Sequence, residues 1–296
     1  MGAEKNLAAL KSGGFMQQKQ DGYFSMRLKV VGGPLTTFQL MTIQRAADRF
    51  GKGYVHLTSR QGVEIPFIHI DDIDAVKQFF DESGCVEIGV CGPRVRTITA
   101  CQGNAICSSG NIDTTALANK LDARYGGRTL PHKFKIGVTG CANNCLKAEE
   151  NDIGIKGGVR PECALERCIF CGGCAKVCPV DAITVDRSAR SWTIDRDKCI
   201  NCGRCVKRCK TALSGEHGYL VYFGGRFGRE IAIGQRTAPL ITNDDELFNV
   251  IDQALEYFNA NAKRGERFSS MLARVPLAPS TEQSDPTSTG ASRINF

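Results

Sequence analysis

No stretch of the 296-residue chain approaches the ~20 consecutive apolar residues that span a bilayer, so no membrane-crossing helix is expected. The opening residues, MGAEKNLAALKSGG, hold no signal-peptide apolar core, and Asn6 breaks the myristoylation pattern that Gly2 would begin. No G-x-G-x-x-G follows a strand pattern and no P-loop occurs, which argues against a nicotinamide or flavin site. The histidines, His56, His69, His132 and His217, show no paired zinc spacing. What remains is a globular composition, 42% hydrophobic and 23% charged. The length allows two or three domains and a core that needs no disulfides. Two features are plentiful: 15 cysteines and a formal net charge of +7. With no leader pattern a cytoplasmic location is expected, where thiols stay reduced and dense cysteines more often bind metal. The charge by itself admits nucleic acid, an acidic partner or an anionic ligand. Basic residues are not interleaved with aromatics, however, so no nucleic-acid partner is expected.

Eight cysteines form two runs of C-x2-C-x2-C-x3-C: Cys168, Cys171, Cys174 and Cys178, then Cys199, Cys202, Cys205 and Cys209. The first run ends in Pro179, as in bacterial ferredoxins; the second has Lys210 there. Two-residue spacings wrap a loop around a cubane, and the fourth cysteine of each run crosses to the other cluster. The expected ligand sets are Cys168, Cys171, Cys174 with Cys209, and Cys199, Cys202, Cys205 with Cys178. Zinc is the competing reading and fits poorly, because zinc knuckles rarely use such a doubled run.

Four more cysteines lie outside these runs: Cys101 and Cys107 in C-x5-C, then Cys141 and Cys145 in C-x3-C. They match the complement of one further 4Fe–4S cluster; four unconnected buried thiols would be the alternative. The chain reads TACQGNAIC and then TGCANNCLKAEENDIGI, with Thr139, Gly140, Cys141, Cys145, Asp152, Ile153, Gly154 and Ile155 filling every place of a known signature. In this the chain resembles the siroheme-dependent sulfite and nitrite reductases, closest to the anaerobic sulfite reductase catalytic subunit and half-size dissimilatory-type enzymes. The resemblance implies siroheme, with Cys145 bridging the cluster to its iron, and three 4Fe–4S clusters per chain. Cys85, Cys91 and Cys163 are left over and are expected to be small buried hydrophobes.

The organisation follows the same resemblance. Residues 15–82 alternate strand and helix patterns, with Tyr23–Val31 as a strand and a helix face on Leu40, Ile43, Ala47 and Phe50. Tyr54–Ile70 is strand-rich, broken by Gly62 and Pro66, and Asp71–Phe80 is helical. This stretch resembles the family's ferredoxin-like half-domain. Residues 83–160 and 213–272 correspond to its siroheme and 4Fe–4S domain, with KFKIGVTG as a strand and GYLVYFGGRFGREIAIG as two strands around Gly224 and Gly225. Asn243 caps a helix on Leu247, Val250, Ile251, Ala254, Leu255 and Phe258. Residues 161–212 are read as an inserted bacterial-type two-cluster ferredoxin domain, and 273–296, rich in Pro, Ser and Thr, as a disordered tail. The fold class is α+β.

The resemblance also implies an anion cradle of two arginines and two lysines: Arg27 before Gly32-Gly33, Arg60 in TSRQ, and Lys133 and Lys135 in LPHKFK. On a strand the two lysines share a face. For any one of these residues alone, a solvated surface charge is the ordinary reading. Arg94, Arg96, Gln61 and Asn143 are candidate siroheme contacts. The implied reaction is six-electron reduction of sulfite to sulfide; nitrite reduction to ammonia and a pure electron-transfer polyferredoxin are the alternatives. Full-length relatives contain two copies of the half-domain pair; only the second keeps the cysteines, and the basic ligands come from the first. Here one copy carries both sets, so a homodimer, or a heterodimer with a related subunit, is expected to complete the site. Electrons are expected from a soluble ferredoxin or a flavin-containing subunit.

Overall fold

A computed structural model describes residues 6–279 and 294–295. It divides into two compact units: Met1–Ala100, Thr115–Ile136 and Lys263–Arg267 in the first, Cys101–Thr114, Gly137–Ala262 and Phe268–Phe296 in the second. Most of the expected tail, 273–296, lies outside the described residues. Among the described residues no helix is long and apolar enough to cross a membrane.

In the first unit the order is α1 (Leu7–Ser12), β1 (Phe15–Gln17), β2 (Tyr23–Leu28), α2 (Thr37–Phe50), β3 (His56–Leu57), β4 (Val63–His69), α3 (Ile73–Ser83), β5 (Thr99–Ala100) and α4 (Thr114–Tyr125). An antiparallel sheet runs β1–β2–β4–β3. Residues alternate across β2, so Phe24, Met26 and Leu28 are buried while Tyr23, Ser25 and Arg27 look the other way. The buried set packs with Val63, Ile65 and Ile68 of β4 and with Ile43, Ala46, Val76 and Phe80 of the helices. A capping box of Thr36 and Gln39 starts α2, and Gly84, at φ 59°, ends α3 in the left-handed region.

Two expectations need correction here, and one helix goes beyond them. Leu40 is 50% exposed, because the buried arc of α2 centres on Ile43, Ala46 and Phe50 and Leu40 lies about a quarter turn from it. Pro66 does not break β4. Phe24 pairs with Ile68 and Met26 with Ile65, which leaves Pro66 and Phe67 in a bulge where a missing N–H is tolerated. Phe67 takes φ 62° there, and its N–H donates to Gln18 Oε1 at 2.9 Å. Helix α4, which buries Leu117, Ala118, Leu121 and Tyr125, was not anticipated.

The second unit continues with β6 (Ile136–Thr139), β7 (Ile153–Cys163), α5 (Gly173–Lys176), β8 (Ile183–Asp186), β9 (Ser191–Ile194), α6 (Arg204–Arg208), β10 (Leu213–Phe223), β11 (Gln235–Arg236), α7 (Asp244–Asn261) and α8 (Phe268–Arg274). Its strands lie in the order β11–β10–β7–β6. The strand expected after residue 218 already begins at Leu213, and its partner is Gln235–Arg236 rather than the stretch just after Gly225. That stretch leaves Phe227, Ile231 and Ile233 more than half exposed, with only an isolated bridge between Arg226 and Ala232. Asn243 caps α7 by accepting from the Glu246 N–H at 2.8 Å. Phe268 is fully buried and stacks edge-on against Phe258 and Phe223, with centroids 5.5 and 5.8 Å away. Truncating it to Ala should cost about 3–5 kcal/mol, read as a lower denaturation midpoint. A loss below about 1 kcal/mol would show that this helix contact is dispensable.

Candidate functional site

In the first unit, a cavity of about 260 Å³ is lined by Arg27, Arg60, Arg96, Lys133, Lys135 and Glu64. Each element delivers its cation for a local reason. Arg27 lies on the face of β2 turned from the core, directly across the ladder from Glu64. Its Nε donates to Glu64 Oε1 at 2.6 Å and its Nη1 to Cys91 Sγ at 3.3 Å. Burial works against the charge, but these partners outweigh it and raise the Arg27 pKa above its usual value. Arg60 stands in the turn between β3 and β4, closed by Thr58 N–H to the Gly62 carbonyl at 2.8 Å, and its Nη2 reaches the Thr97 carbonyl at 3.1 Å. Lys133 and Lys135 precede β6 rather than lying on it. Between them Phe134 is fully buried and bonded to Arg94 and Arg96 through its backbone, so both lysines emerge on the cavity side.

The other candidates separate. Arg96 lines the cavity, donates to the Val90 carbonyl at 3.4 Å, and keeps a buried Nε without a partner. Arg94 is not part of the lining. Gln61 uses both ends of its amide on Ala100, donating to its carbonyl at 2.7 Å and accepting from its N–H at 3.0 Å. It therefore acts as a backbone clamp and does not face the cavity. Glu64 was not anticipated; its only signal is its register opposite Arg27, which the sequence does not carry.

In the second unit, Cys101, Cys107, Cys141 and Cys145 come together on two loops. Burial pushes the Cys141 thiol up, and the neighbouring sulfurs of Cys101, Cys107 and Cys145 add to that shift. The Asn143 main chain hydrogen-bonds to Cys141, and the Gly140 N–H donates to Cys101 Sγ at 3.1 Å. Cys141 is buried while Cys145 is exposed. Asn144, at φ 52°, holds the turn by accepting from the Ala148 N–H at 2.8 Å and donating to Glu149 at 2.6 Å. Glu149 in turn pairs with the buried Lys156 of β7. A Cβ on Gly154 would run into the Ala148 carbonyl, so β7 passes this loop at backbone contact. Gly154→Ala should therefore destabilise the chain by about 1–3 kcal/mol and lower iron content; full iron with unchanged stability would contradict the close approach.

Strands β7 and β10 pair over eleven residues, from Ile153 with Phe223 to Cys163 with Leu213. Residues 164–212 thus leave and rejoin the sheet at one point. Within them the two cysteine runs repeat in conformation. Phe170 and Asn201 take φ 50° and 53°, Gly172 and Gly203 take 72° and 73°, and each glycine opens a short helix. One cavity is lined by Cys168, Cys171, Cys174 and Cys209, and a second by Cys178, Cys199, Cys202 and Cys205. Main-chain N–H groups point at the crossing sulfurs: Ala182 to Cys178 at 3.2 Å, Ala212 and Leu213 to Cys209 at 3.4 Å each. Although burial opposes it, this donor set lowers the Cys209 thiol to about 7, favouring the thiolate a cluster needs. Four sulfurs around each cavity and N–H groups aimed at them fit a cubane. Among the described residues, no three His, Cys, Asp or Glu side chains close to the spacing of a single metal ion.

The left-over cysteines also find places. Cys91 is buried against Arg27, and Cys85 sits 3.4 Å from Thr42 Oγ1. Cys163 is only partly buried and lines the first of the two cysteine cavities. Burial, and then the Cys168 sulfur, push its thiol up to about 12.

A family model described as the nitrite and sulphite reductase 4Fe-4S domain matches residues 91–283, and one described as the nitrite/sulfite reductase ferredoxin-like half domain matches residues 16–83. The chain is 35% identical over 265 residues to the coenzyme F420-dependent sulfite reductase of Methanocaldococcus jannaschii, covering 88% of this chain and 42% of that protein. It is 34% identical over 181 residues to one of the subunits of the anaerobic sulfite reductase of Salmonella typhimurium, covering 56% of this chain and 52% of that protein. The chain spans about half the length of these curated relatives. The crystal structure of dissimilatory sulfite reductase I has the same fold, with a TM-score of 0.69 at 20% identity over 86% of this chain and 67% of that chain. The paired cysteine loops, the half-domain sheet and these matches together place the chain in the nitrite and sulphite reductase family, with both the ferredoxin-like half-domain and the 4Fe-4S domain.

Proposed function

We propose that this chain is the catalytic subunit of a sulfite reductase, reducing sulfite to sulfide with six electrons. The observation that carries this reading is the cavity where Arg27, Arg60, Arg96, Lys133 and Lys135 surround a volume suited to a small oxyanion. Siroheme, when bound, supplies the iron that takes the sulfur of sulfite and receives electrons from a coupled 4Fe–4S cluster. Cys101, Cys107, Cys141 and Cys145 would hold that cluster. The arginines grip the anion oxygens through paired N–H donors. The lysines hold protons at Nζ for the oxygens that leave as water, and Glu64 fixes the Arg27 guanidinium in place.

Residues 161–212 serve in this reading as an inserted bacterial-type ferredoxin domain, bringing the total to three clusters. The surrounding domains are then 15–82, and 83–160 with 213–272. Electrons come from a reduced ferredoxin or a flavin-containing subunit in the cytoplasm. A second copy, or a related subunit, brings its cationic cradle to the siroheme anchored here. Light scattering of cofactor-loaded, active protein should show at least a dimer; active monomer would overturn that arrangement.

A visible spectrum of anaerobically purified protein tests the core of the proposal. Tetrapyrrole bands are expected over the broad iron–sulfur absorption, and their absence would leave a polyferredoxin. Steady-state assays with each anion and a chemical reductant then decide the substrate: kcat/KM should favour sulfite, and a preference for nitrite would make the chain a nitrite reductase.

A further inference from the structure

The two cysteine runs repeat in backbone conformation but differ in what they touch. Motif residues Asn201 and Cys202 are built onto β7: the Val159 N–H donates to the Asn201 carbonyl at 2.8 Å, and Val159 bridges to Cys202. Of their counterparts in the first run, Cys171 is exposed and Phe170 is buried. The second run is hydrogen-bonded to the loop that follows Cys107. Lys207 of α6 donates to the Ser108 and Gly110 carbonyls at 2.9 and 3.3 Å. Asn111 donates from Nδ2 to the Cys202 carbonyl at 3.4 Å and to the Gly157 carbonyl at 3.5 Å.

Asn111 continues the connection on its other side. Its main-chain N–H donates to the Gly140 carbonyl at 2.7 Å, and the Gly140 N–H donates to Cys101 Sγ at 3.1 Å. One residue thus links a sulfur-bearing residue of one quartet to a sulfur of another through three successive hydrogen bonds. Asn111 is 3% exposed, and its Oδ1 is buried without a partner. A buried orphan acceptor of this kind is destabilising, so its presence calls for a reason. The main chain of the link is fixed as well, because His217 Nδ1 lies 2.8 Å from the Asn111 carbonyl oxygen.

We infer that Asn111 is the positioning residue that couples the Cys178, Cys199, Cys202, Cys205 cluster to the Cys101, Cys107, Cys141, Cys145 cluster, which makes the former the inner relay and the Cys168, Cys171, Cys174, Cys209 cluster the outer one. The inference rests on the reading of the three quartets as 4Fe–4S sites. One electron at a time crosses the link, the inner cluster being oxidised as the Cys101 cluster is reduced. No bond is broken and no proton moves at Asn111.

The test uses the full holo chain, given one electron per chain from pre-reduced methyl viologen and followed by freeze-quench EPR. In Asn111→Ala the three midpoint potentials should stay put while the last transfer, into the Cys101 cluster, slows several-fold. In Cys199→Ala, which removes the inner cluster, the electron should remain on the outer one. An unchanged last transfer in Asn111→Ala, or normal reduction of the Cys101 cluster in Cys199→Ala, overturns the inference. Iron analysis of the wild-type chain separates the two levels of failure. Fewer than about twelve irons sinks the reading of three clusters, whereas a full complement with unchanged rates sinks the assignment to Asn111 alone.

Discussion

Replacing Arg60 with Ala is expected to lower kcat/KM for sulfite by about 10²–10³-fold, the range seen when one donor to a developing oxyanion is removed. The guanidinium lines the cationic cavity and is braced by its bond to the Thr97 carbonyl. That brace keeps the side chain in place before substrate arrives, so its donors act without reorganisation. Arg60→Lys keeps the charge but loses the planar fork, and should fall between wild type and Ala. Iron content and thermal midpoint should not change, because the turn around Arg60 is closed by Thr58 and Gly62, without its side chain. An Ala variant within threefold of wild type would remove Arg60 from the anion site.

The second large effect concerns the crossing cysteines. Cys209→Ala should remove the cluster otherwise held by Cys168, Cys171 and Cys174, although Cys209 belongs to the later run. Cys178→Ala should likewise remove the cluster of Cys199, Cys202 and Cys205. Pairwise combination exposes the crossing. Cys171→Ala with Cys209→Ala should cost about four irons, no more than either alone, whereas Cys171→Ala with Cys178→Ala should cost about eight. EPR of the reduced variants reads which cluster survives. Uncrossed behaviour, with Cys171 and Cys178 lost together at the expense of a single cluster, would refute the grouping of sulfurs around the two cavities. Electron delivery from a protein donor should drop to background in both single variants if, as inferred above, the two relays are in series.

Spacing carried most of the grouping of the cysteines around the two cavities. C-x2-C and C-x3-C intervals are local, and backbone geometry over so few residues leaves little freedom. The placement of the cationic residues was likewise legible, because Arg27, Arg60, Lys133 and Lys135 sit in short motifs. What the sequence withheld was non-local. Glu64 meets Arg27 only through the β2–β4 register, which a bulge at Pro66 and Phe67 resets. Gln61 adjoins Arg60 in the sequence, and its amide is bonded at both ends to Ala100. Asn111 had no motif at all; its hydrogen bonds depend on β7 and the Cys107 loop arriving side by side. Helix α4 was hidden for another reason: its apolar face is narrow, and Ala and Leu at its buried positions give a weak periodic signal.

The long ladder of β7 with β10 also bears on how the protein assembles. Closing a loop of roughly 50 residues between Cys163 and Leu213 costs entropy that grows only logarithmically with loop length, about 0.6 kcal/mol per doubling. The paired strands close that loop by themselves, so the sheet can reach its register before any iron arrives. In the proposed reading, metal centres within the loop would be filled after the frame has folded. The same separation lets the intervening segment lengthen or shorten over evolution while every strand pairing of the frame stays where it is.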